Sequence, residues 1–442
     1  MKKLFKEIEV FRQQPRNTRI LLLTTLLYSF VLPVINIFVA AYIMRNSQDV
    51  SKVVLYQLTV YSGIPLTFLA NGFLLGRFRG SYLYAFGMLL SGVSMFMMTS
   101  IKSLELSGIA LAGLVMGMSF GFYWANRDYL VLKCTDDHNR NYYYGIETFF
   151  NTLCNVVVPG CVGWFIAVSP HLFGTDHINA AYRAVTGAVV VLTVLASCIV
   201  LRGDFGHPRQ PAFVFFRLQK IWYEMLALGS LKGMVQGFLV TAPAMLIMQV
   251  MGGKEGALGT VQSIGAMVSA VVMYVIGRKT RPEHRVRVFG LALCLFAFGA
   301  VVNGAVYTSA SVVIFMACLL FAQPMLDISY FPIQLKVIDY VAARENRNEY
   351  SYIFNHEFGL YLGRLFGCGL FIWVAKGISG EAALRVVLPF VAVFQIASVF
   401  VAKHILKQID GARNAQLSTM RAPDTVPLDV SRRQTPWWLK NR

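Results

Sequence analysis

Charge is scarce in this chain. Only 14% of its 442 residues are Asp, Glu, Lys or Arg, while 56% are hydrophobic. A water-soluble globule needs polar and charged residues over its surface, so that balance excludes one. Acids are the scarcer sign, 22 against 40 basic residues. The seven cysteines form no CxxC pair and no disulfide framework, and read as small apolar fillers. No phosphate-binding loop, HExxH, GxSxG or zinc spacing occurs, which argues against an enzyme, a bound metal or an ATP-driven pump. No cofactor is expected. A cleavable signal peptide is missing too. The first apolar run starts near residue 20, is too long for an h-region and has no small-residue cleavage site behind it, so it is expected to stay as a span.

What the chain does have is long apolar runs. "ILLLTTLLYSFVLPVINIFVAAYIM" begins at Ile20, and similar runs recur to the end of the apolar region. Twelve spans are expected at 19–44, 53–76, 81–100, 104–128, 144–168, 179–201, 222–250, 256–277, 286–307, 310–335, 352–376 and 382–405. Each is long enough to cross about 30 Å of hydrocarbon at 1.5 Å per residue. A barrel would instead show alternation in pieces of about ten residues. The expectation is an all-α membrane protein.

The net charge of +18 follows from topology rather than nucleic-acid binding. Lys2, Lys3, Lys6, Arg12, Arg16 and Arg19 precede span 1. Arg77 and Arg79 lie between spans 2 and 3, and Arg278, Lys279, Arg281, Arg285 and Arg287 between spans 8 and 9. The loop between spans 9 and 10 has no charge. The basic side should face the cytoplasm, with both termini there, in the cell membrane (the inner membrane of a bacterium).

The expected layout is a tail at 1–18, a six-helix bundle at 19–201, a linker at 202–221, a second bundle at 222–407 and a disordered tail at 408–442. "PWWLK" in that tail suits a membrane interface less well than a loose tail. Leu4, Ile8 and Phe11 share one helical face near the start, a weak sign of an interfacial helix.

Tyr123–Asn141 aligns without gaps on Tyr330–Asn348, offset by 207, and both stretches end in Asn-Arg-Asn. "GRFRGSYLYAFGMLL" from Gly76 likewise pairs with "GRKTRPEHRVRVFGLAL" from Gly277. Span 4 thus falls on span 10, and loop 2–3 on loop 8–9. A repeat with the same sense in each half places a pseudo-two-fold axis along the membrane normal. The twin Asn-Arg-Asn motifs precede spans 5 and 11, where Asn would serve as an N-cap.

With twelve spans, a mid-chain linker and this basic glycine loop, the chain resembles the major facilitator superfamily over residues 19–407. Gly72 and Arg77 match that family's loop motif, and Gly277 and Arg278 carry its degenerate copy. Gly76 replaces the motif aspartate, and Asp128 is the acid placed to serve Arg77 or Arg79 instead. The resemblance implies two six-helix pseudo-symmetric bundles with a central cavity lined by spans 1, 4, 7 and 10. It also implies close packing of span 2 on span 11. Glycines recur every fourth residue at Gly72/Gly76/Gly80, Gly113/Gly117/Gly121 and Gly359/Gly363/Gly367, faces that let helices approach closely. Leucine at Gly363 should disrupt such a contact and alanine should be mild.

Ionisable groups in mid-membrane are costly and need a partner, water or a function. Gln323, Asp327, Tyr330 and Gln334 form one stripe on span 10. Span 7 adds Lys232 and Gln236, span 4 Tyr123 and Asn126, and span 1 Asn36 beside Pro33. These are the candidate cavity residues. Asp327, Lys232 and Arg364 are expected at similar depth. They form either a proton-coupling cluster or a static ion pair. Two cations against one acid lean towards an anionic or zwitterionic solute. Glu147 and Glu357 are secondary coupling candidates, with snorkelling or loop pairing the first reading for each.

The function expected is secondary active transport of a small solute by alternating access, coupled to protons. Its alternatives are efflux of lipophilic drugs and a non-transporting sensor on the same fold. The partners expected are the solute and the bilayer, with no nucleic acid, and the protein is expected to be a monomer.

Overall fold

The structure, a computed structural model, describes residues 9–101, 104–135, 140–173, 178–206, 218–253, 255–279, 282–347 and 349–421. Among these, twelve helices are long and apolar enough to cross a membrane. Spans 1 to 6 are Arg16–Ser47, Val50–Leu74, Gly80–Ser100, Leu106–Cys134, Arg140–Phe173 and Ile178–Val200. Span 7 is two helices, Lys220–Leu239 and Ala242–Val250, the second opening with Pro243 where a missing N–H costs nothing. Spans 8 to 11 are Glu255–Lys279, Arg285–Val306, Ser309–Glu345 and Glu349–Gly377. Span 12 starts at Gly380, passes through a π turn at Ala383–Val387 and runs on to Arg421. In lipid a helix satisfies its own backbone, which is why each apolar run takes this form.

Three expectations change. Span 10 extends ten residues past its expected end. Its polar last turns leave the lipid as helix, and Lys336 pairs with Asp410 at 2.7 Å. Asn346 then stops it as a C-terminal cap in the left-handed region, φ 50°, its N–H bonded to the Ala342 carbonyl. The Asn-Arg-Asn motif therefore ends a helix here rather than starting one; Asn139 and Asn348 lie outside the described residues. Residues 408–421 are helix, not a disordered tail. Leu4, Ile8, "PWWLK" and most of the linker lie outside the described residues.

The glycine stripes pack within the halves, not between them. A Cβ at Gly117 would strike the carbonyl oxygen of Val60 on span 2, and one at Gly121 would sit 2.5 Å from the Thr67 Cβ. In the second half Gly359, Gly363 and Gly367 face Leu226, Ser230 and Met234 of span 7. Gly76, by contrast, would meet only the Phe73 carbonyl oxygen, at 3.4 Å. Gly117→Ala should therefore cost about 1–3 kcal/mol by overpacking. Gly76→Ala should stay within about 0.5 kcal/mol. Thermal unfolding of the purified variants checks the contrast, and equal midpoints would refute it.

Among the described residues, two seams between the halves are the most extensive. Span 2 meets span 11, with Ser62 Oγ 3.2 Å from the Tyr361 hydroxyl and Phe68 packed on Phe354. Span 5 meets span 8, where Gly163 and Gly259 touch backbone to backbone. A Cβ on Gly163 would lie 2.6 Å from the Glu255 oxygen and 3.0 Å from the Gly259 Cα. Glycine thus does mediate contact between halves, but at positions outside the three stripes.

Candidate functional site

A cavity of about 420 Å³ lies between spans 1, 5, 7, 8 and 10. Its polar lining includes Asn36, Thr152, Asn155, Gln262, Gln323 and Asp327, set among apolar groups such as Ile37, Met273 and Met316. Span 8 supplies Gln262, Gly265, Ala266, Ser269 and Met273, a helical stripe of small and polar residues that the sequence reading passed over. Spacing alone would have found it.

Asp327 sits midway along its 37-residue helix, eighteen residues from Glu345 (345 − 327 = 18). Lys232 Nζ lies 3.8 Å from its carboxylate. The ammonium also stands over the rings of Tyr330 and Phe331, 3.9 and 4.2 Å from their centroids. A cation held by one carboxylate and two aromatic faces is stabilised without full hydration. The Asp327 side chain is 33% exposed and the Lys232 side chain 17%, so the acid is the wetter partner.

Arg364 does not join that pair. It bonds Glu357 at 3.3 Å, two turns back on its own helix, and Gln236 Oε1 at 2.9 Å. The expected surplus of positive charge is thereby removed: two cations face two acids. Arg364 also stacks over Tyr61 of span 2 at 4.3 Å, and the Tyr61 hydroxyl donates to the Gln236 carbonyl oxygen at 3.0 Å. Tyr330 is fully buried, its hydroxyl 2.6 Å from His356 Nε2, while Gln334 reaches His356 Nδ1 at 3.3 Å. Tyr330 therefore serves Lys232 with its ring and His356 with its hydroxyl.

Asn36, Thr152 and Asn155 apart, the first half's candidate polar groups lie away from this cavity. Tyr123 is buried between Tyr28 and Tyr84, with ring centroids 4.3 and 5.1 Å away. Asn126 is buried against Asn71, to which it donates at 2.6 Å. Span 4 therefore contributes nothing to the cavity lining. Glu147 is buried and paired with Arg127. It neither snorkels nor pairs with a loop, because Arg127 reaches it from span 4. Arg127 also takes Asp128, at 2.6 Å. Asp128 is thus spent on its own neighbour, and the acid beside Arg79 is Asp204, at 3.7 Å. Gly72 is buried and Arg77 exposed, while Gly277 and Arg278 fall in the last turn of span 8.

At the face opposite the termini a bridge crosses between the halves. Arg45, at the end of span 1, bonds the buried Glu255 at 2.7 Å. The Tyr182 hydroxyl lies 3.3 Å from the same carboxylate, and Asn179 donates to Asn46 at 3.0 Å. The sequence reading missed this bridge: both charges stand at span ends, where lone charges are common. Glu255→Gln should loosen this closure. A cysteine at Asn36 should then react faster with a membrane-impermeant maleimide applied from that face; an unchanged rate would show that the glycine seam alone holds it.

The sequence model of the Major Facilitator Superfamily matches residues 21–368. An uncharacterised protein of Bacillus subtilis (strain 168), YqgE, is 21% identical over 408 residues, spanning 89% of this chain and 90% of its own. An uncharacterised protein of Geobacillus stearothermophilus, encoded in the sodM 3' region, is 23% identical over 185 residues, 42% of this chain and 85% of its own. Among solved structures, the nucleoside transporter NupG superposes with a TM-score of 0.63 at 11% identity, covering 89% of this chain and all of its own. A bacterial metal transporter superposes with a TM-score of 0.57 at 15% identity, covering 90% of this chain and 99% of its own. At such identities the likeness speaks for the fold. Twelve apolar helices, a cavity walled by both halves and a family match over most of the length agree: the chain belongs to the Major Facilitator Superfamily and is a membrane transporter, not an enzyme.

Proposed function

We propose that this protein is a proton-coupled secondary transporter working by alternating access, with both termini in the cytoplasm. The observation that carries this reading is the Lys232–Asp327 pair at 3.8 Å, in mid-membrane, with Asp327 in the cavity wall. A carboxylate there is stabilised by the ammonium while paired. It becomes easier to protonate when the ammonium swings away or a solute takes its place. Binding, proton uptake and the break of the Arg45–Glu255 bridge then belong to one cycle.

The solute class follows from charge balance. Lys232 and Arg364 are matched by Asp327 and Glu357, so the site favours a small polar solute that is zwitterionic or neutral. Efflux of lipophilic drugs is the weaker reading, because Asn36, Gln262 and Gln323 line the cavity and would be left unpaired beside an apolar guest.

The test is flux in proteoliposomes under an imposed pH gradient, with candidates chosen by thermal-shift screening of a metabolite library. Gradient-dependent uptake that a protonophore abolishes supports the proposal. Uptake indifferent to the gradient but driven by sodium would replace the coupling ion. A chain that binds a solute yet moves none would be a sensor.

A further inference from the structure

A second cavity, of about 410 Å³, lies at the termini face between the start of span 1 and the end of span 6. Arg16, Arg19 and Arg202 line it chiefly with their carbon stems, together with the apolar side chains of Phe11, Ile20, Leu23 and Ile199. Arg16 reaches the Arg202 carbonyl oxygen at 3.4 Å, so these two residues are drawn together. Arg19 buries its Nε with no hydrogen-bond partner among the described residues. None of the three pairs with a carboxylate among the described residues, and nearby Asp204 faces Arg79 instead. Leu23 is 41% exposed, and Leu201, next to Arg202, is 45% exposed, so the mouth of the groove opens on the lipid side.

Three guanidiniums without a carboxylate partner among the described residues, at the rim of an apolar groove where two membrane spans end, make an amphipathic receptor. Water alone would solvate the guanidiniums but would leave the floor wet. A free phosphate would satisfy the charge and leave the same apolar surface exposed. A molecule with a phosphate at one end and a hydrocarbon chain at the other satisfies both. Guanidinium forks match phosphate oxygens in geometry and hold them through charge-assisted bonds. Basic pockets at helix ends take lipid headgroups by this logic.

We propose that this groove binds an anionic phospholipid, its phosphate held by Arg16, Arg19 and Arg202 and the head of one acyl chain laid on Ile20, Leu23 and Ile199. Phe11 closes the groove from the segment that precedes span 1. The bound lipid ties that segment to span 6, which is the last span of the first half.

Native mass spectrometry of the full chain in neutral detergent tests it. Phosphatidylglycerol is compared with phosphatidylcholine of the same chains, and inorganic phosphate is added as a competitor. Phosphatidylglycerol adducts should be favoured on the order of ten-fold or more. The triple variant Arg16→Gln, Arg19→Gln, Arg202→Gln should fall to the phosphatidylcholine level. Equal adducts for both lipids, or adducts retained in the triple variant, overturn the proposal. Displacement of the lipid by inorganic phosphate at similar concentration would also overturn it, in favour of a free-anion site. Should the triple variant misfold, the three arginines stay in place and Leu23→Cys is labelled with maleimide and read by peptide mapping. Phosphatidylglycerol vesicles should slow that labelling and phosphatidylcholine vesicles should not; equal rates overturn the proposal.

Discussion

Asp327→Asn is expected to abolish solute accumulation driven by a pH gradient, down to the level of empty liposomes, while exchange of labelled for unlabelled solute persists. Asparagine keeps the shape of the side chain and leaves an uncharged amide facing Lys232, whose ammonium stands 3.8 Å from the parent carboxylate. It cannot take up a proton. Removing one member of a fully buried pair costs about 3–5 kcal/mol. Here Asp327 is a third exposed to the cavity, so the penalty is smaller and the variant should fold. If the pair only braces the second half, the yield of folded protein should fall instead, and neutralising Lys232 as well should restore it. Normal yield with full gradient-driven uptake would remove both roles and move the search to Glu147 and Glu357.

Gly363→Leu is expected to give the largest loss of folded protein of any single substitution in the glycine stripes. A Cβ at Gly363 would collide with the Ser230 carbonyl oxygen and lie 2.7 Å from its carbon and 2.8 Å from the Met234 nitrogen. These are backbone atoms of span 7 and cannot rotate aside. Alanine already fills that space, so Gly363→Ala is harmful too, contrary to what the small-residue stripe alone suggests. Overpacking costs about 1–3 kcal/mol for modest insertions, and leucine adds three further carbons. Size-exclusion yield and thermal midpoint should fall from glycine to alanine to leucine. An alanine variant as stable as the parent would mean that spans 7 and 11 can separate at no cost.

The twelve spans were legible because hydropathy over about twenty residues is a strong and local signal. The ends were less so. Span 10 carries Lys336, Asp339, Arg344 and Glu345 past the lipid. Charge there looks like a loop until the Asn346 cap is seen. The residue types of the candidate site were also legible, since acids and bases are rare inside apolar runs. Their partners were not. Arg364 takes Glu357 because seven residues is two helical turns, a relation that depth alone does not reveal. Asp128 takes Arg127, and Arg127 takes Glu147 across two spans, a choice that depends on how spans 4 and 5 rotate. Tyr123 and Asn126 carry cavity-like polarity and yet spend it on Tyr28, Tyr84 and Asn71. A polar stripe tells which face of a helix needs company, not which neighbour provides it.

Tyr61 gives the second half's charges a foothold in the first. Its ring lies under Arg364 and its hydroxyl grips the Gln236 backbone, so one side chain from span 2 reads the electrostatic state of spans 7 and 11 at first hand. Communication between the halves then needs no chain of intermediaries. An event that redistributes charge around Arg364 is then expected to alter the friction at the seam itself. Replacing the aromatic ring with leucine should leave each bundle intact and make their relative movement indifferent to what the charged cluster holds, a transporter that slips.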